Sequence, residues 1–255
     1  MELAQQTNME AVKKSLAKVY FPGKNKPLTY YNNQFDLKVG DMVYVEGEMY
    51  GQIGRVIELN YHFKIKLSDY WSIIAVVDTH VKGGFHIAGS HIVTFDPAAL
   101  PAGQAITWFA LPNSQDEDET VCSYDDNESF PLEDLGSMNI TEAIAQRGHK
   151  YYTENRVRYI CLDGCKGYAI VEGSEIYTVD FEYRNGQISR LVCDCPCAFN
   201  CKHEFATMLQ LRETLKLIEK YYADEYGRSN YFAAITKSAF FTFAIDCKES
   251  GSFIL

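Results

Sequence analysis

The stretch Cys193-Asp194-Cys195-Pro196-Cys197-Ala198-Phe199-Asn200-Cys201-Lys202-His203 places four thiols and one imidazole within eleven consecutive residues. Structural zinc sites take four tetrahedral protein ligands, and thiolate and imidazole are typical donors. Five candidate ligands therefore compete for four coordination positions. Cysteine is often buried for packing alone, but such a concentration of donors favours a metal site.

The secondary structure predicted around this stretch selects four of the five donors. Residues 179–192 read as a strand, and side chains two apart on a strand point to one face, so Cys193 and Cys195 can converge. Further along, apolar residues recur at intervals of three and four, which predicts an amphipathic helix. Cys201 would immediately precede this helix, and His203 would lie in its first turn. We therefore expect Cys193, Cys195, Cys201 and His203 to bind Zn²⁺.

Two other interpretations of these residues remain open at this point. In the first, Cys197 replaces Cys193 as the fourth ligand. In the second, the cysteines form disulfides, which requires an oxidising compartment. Residues 1–14 are polar and contain no apolar segment of the kind that a secretory signal carries. The sequence therefore favours a reducing, cytoplasmic location and a metal site.

The order Cys-x-Cys, a short gap and Cys-x-His resembles the SWIM-type zinc finger, and residues 138–216 resemble bacterial members of that family. The residues that carry the resemblance are Arg147-Gly148, Tyr151-Tyr152, Arg156-Val157, Val171-Glu172-Gly173-Ser174, Tyr177, Val179, Cys193-Asp194-Cys195-Pro196 and Cys201-Lys202-His203. The chain departs from the family pattern in the additional thiol of Cys197 and in the short gap before Cys201. The resemblance implies a small ββα module in which zinc is a structural ion.

The resemblance also implies contact with DNA or with other proteins, in the company of helicase-like or recombination machinery. It does not imply catalysis, because a catalytic zinc keeps one coordination position open for water. Glu204 follows His203, but zinc deaminases place His-x-Glu upstream of Pro-Cys-x-x-Cys, and that order is absent here. We therefore expect a protein that is not an enzyme and has no small-molecule substrate.

The distribution of charge predicts two folded parts joined by an acidic linker. The formal net charge is −10, and residues 104–136 contain nine acidic and no basic side chains. Residues 112–136 are also poor in aliphatic residues and have turn residues at both ends, as linkers do. We therefore expect an α+β protein with a β-rich domain at 1–111, an acidic linker at 112–136 and a zinc-binding domain at 137–255. No apolar run is long enough to span a bilayer, so we expect no membrane association.

Glycine turns and alternating apolar residues predict a β-rich N-terminal domain. After an opening helix at 9–20, strands are expected at 39–45, 54–59, 63–67 and 73–77. Short strands between glycine turns suggest a small curled sheet or a barrel. The segments Val39-Gly40-Asp41-x-Val43 and Gly51-x-Ile53-Gly54-x-Val56 resemble those of SH3-like barrels, a weak resemblance that covers residues 28–68. Most of these residues are expected to serve the fold rather than a ligand.

The C-terminal domain is expected to contain a β-hairpin with its turn at Asp163-Gly164. The other elements expected there are helices at 202–222 and 232–237 and strands at 239–245 and 252–255.

Six basic side chains near the zinc residues are candidates for contact with nucleic-acid phosphate: Arg147, Lys150, Arg156, Arg158, Arg190 and Lys202. The acidic net charge argues against binding through bulk electrostatics, which needs clustered lysine and arginine. Two hypotheses follow: a zinc module that binds nucleic acid, which the family resemblance favours, and, as the alternative, an adaptor that binds another protein without contacting nucleic acid.

Overall fold

The computed structural model describes residues 13–64, 69–112, 129–197 and 200–245. The chain divides into two compact units, Met1–Asp78 with Ala110–Pro112, and Thr79–Phe109 with Asn113–Leu255. Helices and antiparallel sheets both occur, so the chain has a mixed α+β architecture. Within the described ranges, no helix has the length and apolar character needed to cross a membrane.

The first unit is a five-stranded antiparallel sheet. Its strands are β1 (Ser15–Tyr20), β2 (Leu28–Asn32), β3 (Met42–Val45), β4 (Ile53–Asn60) and β5 (Ile73–Val77), in the order β2-β1-β4-β3-β5. The edges approach each other at one isolated bridge between Tyr31 and Ser72. No ladder closes the sheet among the described residues, so the alternative of a small curled sheet fits and the closed barrel is wrong. Its core contains Val19, Val43 and Val56, all fully buried.

The second unit is built on an eight-stranded antiparallel sheet. Its strands are β6 (His86–Ala88), β7 (His91–Thr94), β8 (Ser129–Pro131), β9 (Val157–Asp163), β10 (Lys166–Glu172), β11 (Ile176–Arg184), β12 (Gln187–Cys193) and β13 (Tyr231–Thr236). Their order is β6-β7-β13-β9-β10-β11-β12-β8. The predicted hairpin at Asp163-Gly164 is confirmed, since it joins β9 to β10. Asn185 and Gly186, at φ +50° and +81°, form the left-handed turn between β11 and β12.

Five α-helices accompany this sheet in the described residues. They are α1 (Ala102–Thr107), α2 (Glu142–Thr153), α3 (Lys202–Tyr221), α4 (Ala223–Ser229) and α5 (Lys237–Phe240), the last continuing into a π-helical turn at Phe241–Ile245. Helix α3 shares a hydrophobic core with β9, β10 and β11, to which it contributes Met208, Leu211 and Ile218. Helix α2 packs closely on α3, because a Cβ added to Gly148 would lie 2.9 Å from the Lys202 carbonyl oxygen. The beginning of α3 is therefore fixed between α2 and the sheet.

Several predicted elements differ from the structure. Residues 15–20 form a strand rather than part of an opening helix, and residues 9–12 lie outside the described residues. Phe63 and Lys64 are not in a strand, and 65–67 lie outside the described residues. Residues 232–236 belong to a strand instead of a helix, and 239–245 are helical instead of extended. The strand expected at 252–255 lies outside the described residues.

The expected linker and domain limits also differ from the two observed units. Residues 113–128 lie outside the described part of the chain, but β8 follows them directly and pairs with β12. Residues 79–109, expected in the N-terminal domain, belong to the second unit because β7 pairs with β13.

Candidate metal centre

Four buried donor side chains meet at the beginning of α3. One ligand atom from each of Cys193, Cys195, Cys201 and His203 lies within 4.8 Å of all the others. Sγ of Cys193 lies 3.6 Å from Nδ1 of His203. Tetrahedral zinc with ordinary bond lengths would separate a sulfur and a nitrogen ligand by about 3.5 Å. The cluster is therefore of a size and composition that could hold a metal ion.

The two N-terminal candidate ligands, Cys193 and Cys195, are positioned by the end of β12. Cys193 is the last residue of that strand, and Asp194 ties the following chain to β11. The carboxylate of Asp194 accepts hydrogen bonds from the backbone N–H and the hydroxyl of Thr178, both at 2.9 Å. Beyond Cys195, the Cys197 N–H donates to the Cys195 carbonyl oxygen at 2.8 Å, which forms a tight turn. The Asp194 contacts and the turn after Cys195 thus fix the chain that carries both thiols.

The other two candidate ligands, Cys201 and His203, are positioned by the N-terminal cap of α3. Cys201 is the N-cap residue, and its sulfur accepts from the Glu204 N–H at 3.5 Å. The Glu204 carboxylate in turn accepts from the Cys201 N–H at 2.6 Å, which completes a capping box. Sulfur here takes the place of the serine or threonine oxygen usual in this motif. Because the helix dipole is positive at this end, it favours a thiolate at Cys201.

The pKa values of the groups in the cluster are shifted because several acidic side chains are buried close together. The hydrogen bond with Cys193 lowers the pKa of Cys201 to about 4, and the same bond together with burial raises the pKa of Cys193. Burial raises the pKa of Cys195 to about 12. Burial and the nearby Cys201 sulfur raise the pKa of Glu204 to about 8. Ionising all three thiols here is costly unless a cation supplies opposite charge.

Aromatic packing fixes the orientation of the imidazole. The His203 ring stacks on Tyr177 with 4.4 Å between centroids, and Tyr151 lies 5.4 Å away on a tilted plane. Nδ1 faces Cys193, while Nε2 is buried and has no hydrogen-bond partner in the described residues. A Cβ added to Gly173 would lie 3.2 Å from this Nε2 and 2.8 Å from the Tyr177 ring. Gly173, directly after β10, therefore lies too close to the Tyr177 and His203 rings for a larger residue.

The structure brings together the four ligands that the sequence predicts and leaves the fifth candidate outside. Cys197 is exposed, whereas the four clustered residues are buried. Sequence reasoning missed the roles of Asp194 and Glu204. The order Cys201-x-x-Glu204 is a detectable signal for a capping box once cysteine is allowed at the N-cap. The Asp194 contact to Thr178 depends on strand pairing and has no local signal.

The six basic candidates do not form one group. Lys202 and Arg156 both approach the ring of Tyr151, with their charged groups 4.7 and 5.3 Å from its centroid. Arg156 also pairs with Glu154 at 2.7 Å, and Lys150 approaches the same carboxylate group at 3.7 Å. These three cations are therefore neighbours near the beginning of α3.

The remaining three basic candidates have local partners elsewhere. Arg158 pairs with Glu172 at 2.6 Å, and Arg190 on β12 pairs with Glu182 at 3.1 Å. Arg147 donates to the Ala143 carbonyl oxygen within α2. Four of the six candidates thus lie within 4 Å of a carboxylate, which reduces the positive charge available to a ligand.

A buried polar stripe continues along α3 beyond the cluster. Thr207, Gln210 and Thr214 follow His203 at helical spacing and are all buried. Gln210 donates to the Thr214 hydroxyl at 3.0 Å. Within the described residues, Thr207 Oγ1 and Gln210 Oε1 have no partner. Such groups reduce stability unless water reaches them.

These observations define a buried Cys₃His cluster near the C-terminal end of the chain, and this is the class of site that the fold presents. No protein-family model, curated protein or solved structure matches the chain.

Proposed function

We propose that this chain is a non-catalytic binding protein whose second unit is a SWIM-like module held together by a structural Zn²⁺. The observation that carries the proposal is the convergence of three thiols and one imidazole, all buried, at the start of α3. Sulfur and nitrogen donors in this proportion suit zinc, and four protein ligands leave no coordination position for a substrate.

Metal binding would contribute directly to the stability of the second unit. The proposed ligands come from the end of β12, the following turn and the beginning of α3, so an ion would join β12 to the main helix. An unfolded chain has no preformed site, so the binding free energy becomes folding free energy.

Elemental analysis of the purified protein tests the metal, and single substitutions test the ligands. We expect about one zinc per chain in the wild type and in Cys197→Ala. Cys201→Ala and His203→Ala should lose the metal and unfold at lower temperature. Cys197→Ala is the matched control because its thiol lies close in sequence but outside the cluster. Absence of metal, or equal thermal shifts in all three variants, would overturn the assignment.

Another protein is the partner that we favour for this module. The support comes from charge: Arg156, Arg158 and Arg190 each lie within 3.1 Å of a glutamate oxygen, and the whole chain carries a formal charge of −10. A phosphate-binding surface needs several cations free to replace counterions. A partner recovered from a cell extract that survives nuclease and moderate salt would support the adaptor function.

Nucleic acid is a second candidate because Arg156 and Lys202 both lie beside the Tyr151 ring at the metal cluster. Cations next to an aromatic ring suit phosphate contact and base stacking. A gel-shift titration on single- and double-stranded DNA at two salt concentrations distinguishes the candidates. Salt-sensitive binding that Arg156→Glu with Lys202→Glu abolishes, and the control Arg190→Glu retains, would select nucleic acid. Absence of a shift would select the protein partner.

A further inference from the structure

The first unit presents two exposed aromatic side chains beside one short turn. A 3₁₀ turn at Gly47–Met49 joins β3 to β4, and Tyr50 caps it by donating its N–H to the Gly47 carbonyl oxygen at 3.1 Å. Trp71 lies just before β5 and is 61% exposed, and Tyr50 is 64% exposed. Large aromatic side chains that remain exposed are typical of binding sites.

The Trp71 side chain is held in place although it is exposed. A Cβ added to Gly47 would lie 2.7 Å from the indole ring, so the ring packs directly on the glycine backbone. Gly47 has φ +80°, a conformation that also favours glycine. The Trp71 carbonyl oxygen accepts from the Tyr31 N–H at 2.8 Å, which fixes the chain at the base of the ring. A ring that is already ordered loses little entropy when a ligand covers it.

Two acidic side chains, Glu46 and Glu48, lie at this turn. Glu46 precedes the turn, and its carboxylate accepts from the Ser72 N–H at 3.0 Å, beside Trp71. Glu48 lies within the turn, and its side chain is 74% exposed. The Lys24 ammonium lies 2.5 Å from the Glu48 carboxylate, so this carboxylate already binds a cationic side chain. Carboxylates repel phosphate, which argues against a nucleic-acid ligand here.

We propose that the Trp71 surface, formed by Trp71, Tyr50, Glu46 and Glu48, binds a basic peptide segment of a partner protein. An arginine or lysine side chain of the peptide stacks on the indole face, and its charge pairs with Glu48 in place of Lys24. Cations bind the faces of tryptophan more strongly than those of other aromatic residues. The Lys24–Glu48 pair is exposed and therefore weak, so an incoming cation can displace it. This surface lies in the first unit and does not depend on the metal centre.

Titration with a blocked Gly-Arg repeat peptide tests the proposal by calorimetry and by fluorescence. The chain has two tryptophans, and Trp108 is buried, so a change in emission on peptide binding reports on Trp71. We expect Trp71→Ala to weaken binding about tenfold, and Trp71→Phe to weaken it less because it keeps an aromatic face. Glu48→Gln should weaken binding several-fold. Lys24→Ala should strengthen it, because it removes the internal competitor for Glu48.

Matched controls separate this surface from general charge and from unfolding. Tyr221→Ala removes an exposed aromatic side chain of the second unit and should leave binding unchanged. A Gly-Gln repeat peptide and a thymidine oligonucleotide should not compete. The proposal is overturned if the wild type does not bind the Gly-Arg peptide, if Trp71→Ala binds it equally well, or if the oligonucleotide displaces it. The zinc content of each variant is measured as well. A variant that loses peptide binding but keeps its zinc has lost the Trp71 surface and not the metal cluster.

Discussion

Replacing Gly173 by alanine tests whether close packing behind His203 determines metal affinity. An added Cβ would lie 2.8 Å from a Tyr177 ring carbon and 3.2 Å from His203 Nε2. Favourable carbon–carbon contacts lie at about 3.5 to 4.0 Å, so the Tyr177 ring would have to move by about 1 Å. Because Tyr177 stacks on His203, this movement would displace the imidazole from the three sulfur atoms.

The expected size of the effect follows from the cost of overpacking a buried site. Inserting one methyl group without room for it costs about 1 to 3 kcal/mol. If that cost falls on the metal-binding conformation, zinc affinity falls roughly 5- to 150-fold. Gly173 does not have the positive φ that would strain an alanine backbone, so the effect should be steric.

Competition for zinc with a chromogenic chelator measures this effect for Gly173→Ala and for Gly227→Ala. Gly227 lies in α4, and an added Cβ there would meet no atom within 4 Å in the described part of the chain. Gly227→Ala should therefore bind zinc as the wild type does. Equal zinc affinity in both variants would refute the argument that the glycine positions the histidine ligand.

Three further predictions concern stability, measured by chemical denaturation. Burial lowers the pKa of His91 from its ordinary 6.5 to about 4. The stability that comes from burying the neutral imidazole is therefore fully present above pH 6.5 and is lost as the pH falls toward 4. The unfolding free energy should drop by about 3 kcal/mol over that range, and His91→Gln should show a smaller drop. Thr207→Val should stabilise by about 1 kcal/mol by removing a buried hydroxyl that has no partner among the described residues, whereas Thr214→Val should destabilise by about as much because it breaks a hydrogen bond. Gly54→Ala should destabilise by about 1 to 3 kcal/mol, because its Cβ would overlap the Val19 side chain, and a smaller loss would contradict this packing.

The Cys₃His cluster could be predicted from the sequence because its determinants are local. Cys193 is the last residue of a strand and Cys195 lies two residues further along, while His203 lies in the first turn of a helix with clear apolar periodicity. The same rules overlooked β1, although Ala17 and Val19 are buried while Lys18 is exposed, which is the alternation of a strand.

The errors near the C-terminal end arise from pairing between distant residues. Every residue of Tyr231–Thr236 is buried, so this strand has no alternation and cannot be distinguished from a helix by periodicity. Its neighbours β7 and β9 lie far away in the sequence, so local patterns could not show that residues 79–109 belong to the second unit.

The position of β13 between β7 and β9 has a consequence for folding during synthesis. The ribosome releases residues 193–203 before residues 231–236, so the cysteines and histidine can capture metal while the sheet still lacks an inner strand. Strands β6 and β7 leave the ribosome earlier still. More than a hundred further residues must be synthesised before β13 can connect them to β9. During that delay their unpaired edges are available to other nascent chains, which makes this hairpin a site where chaperone binding would reduce aggregation.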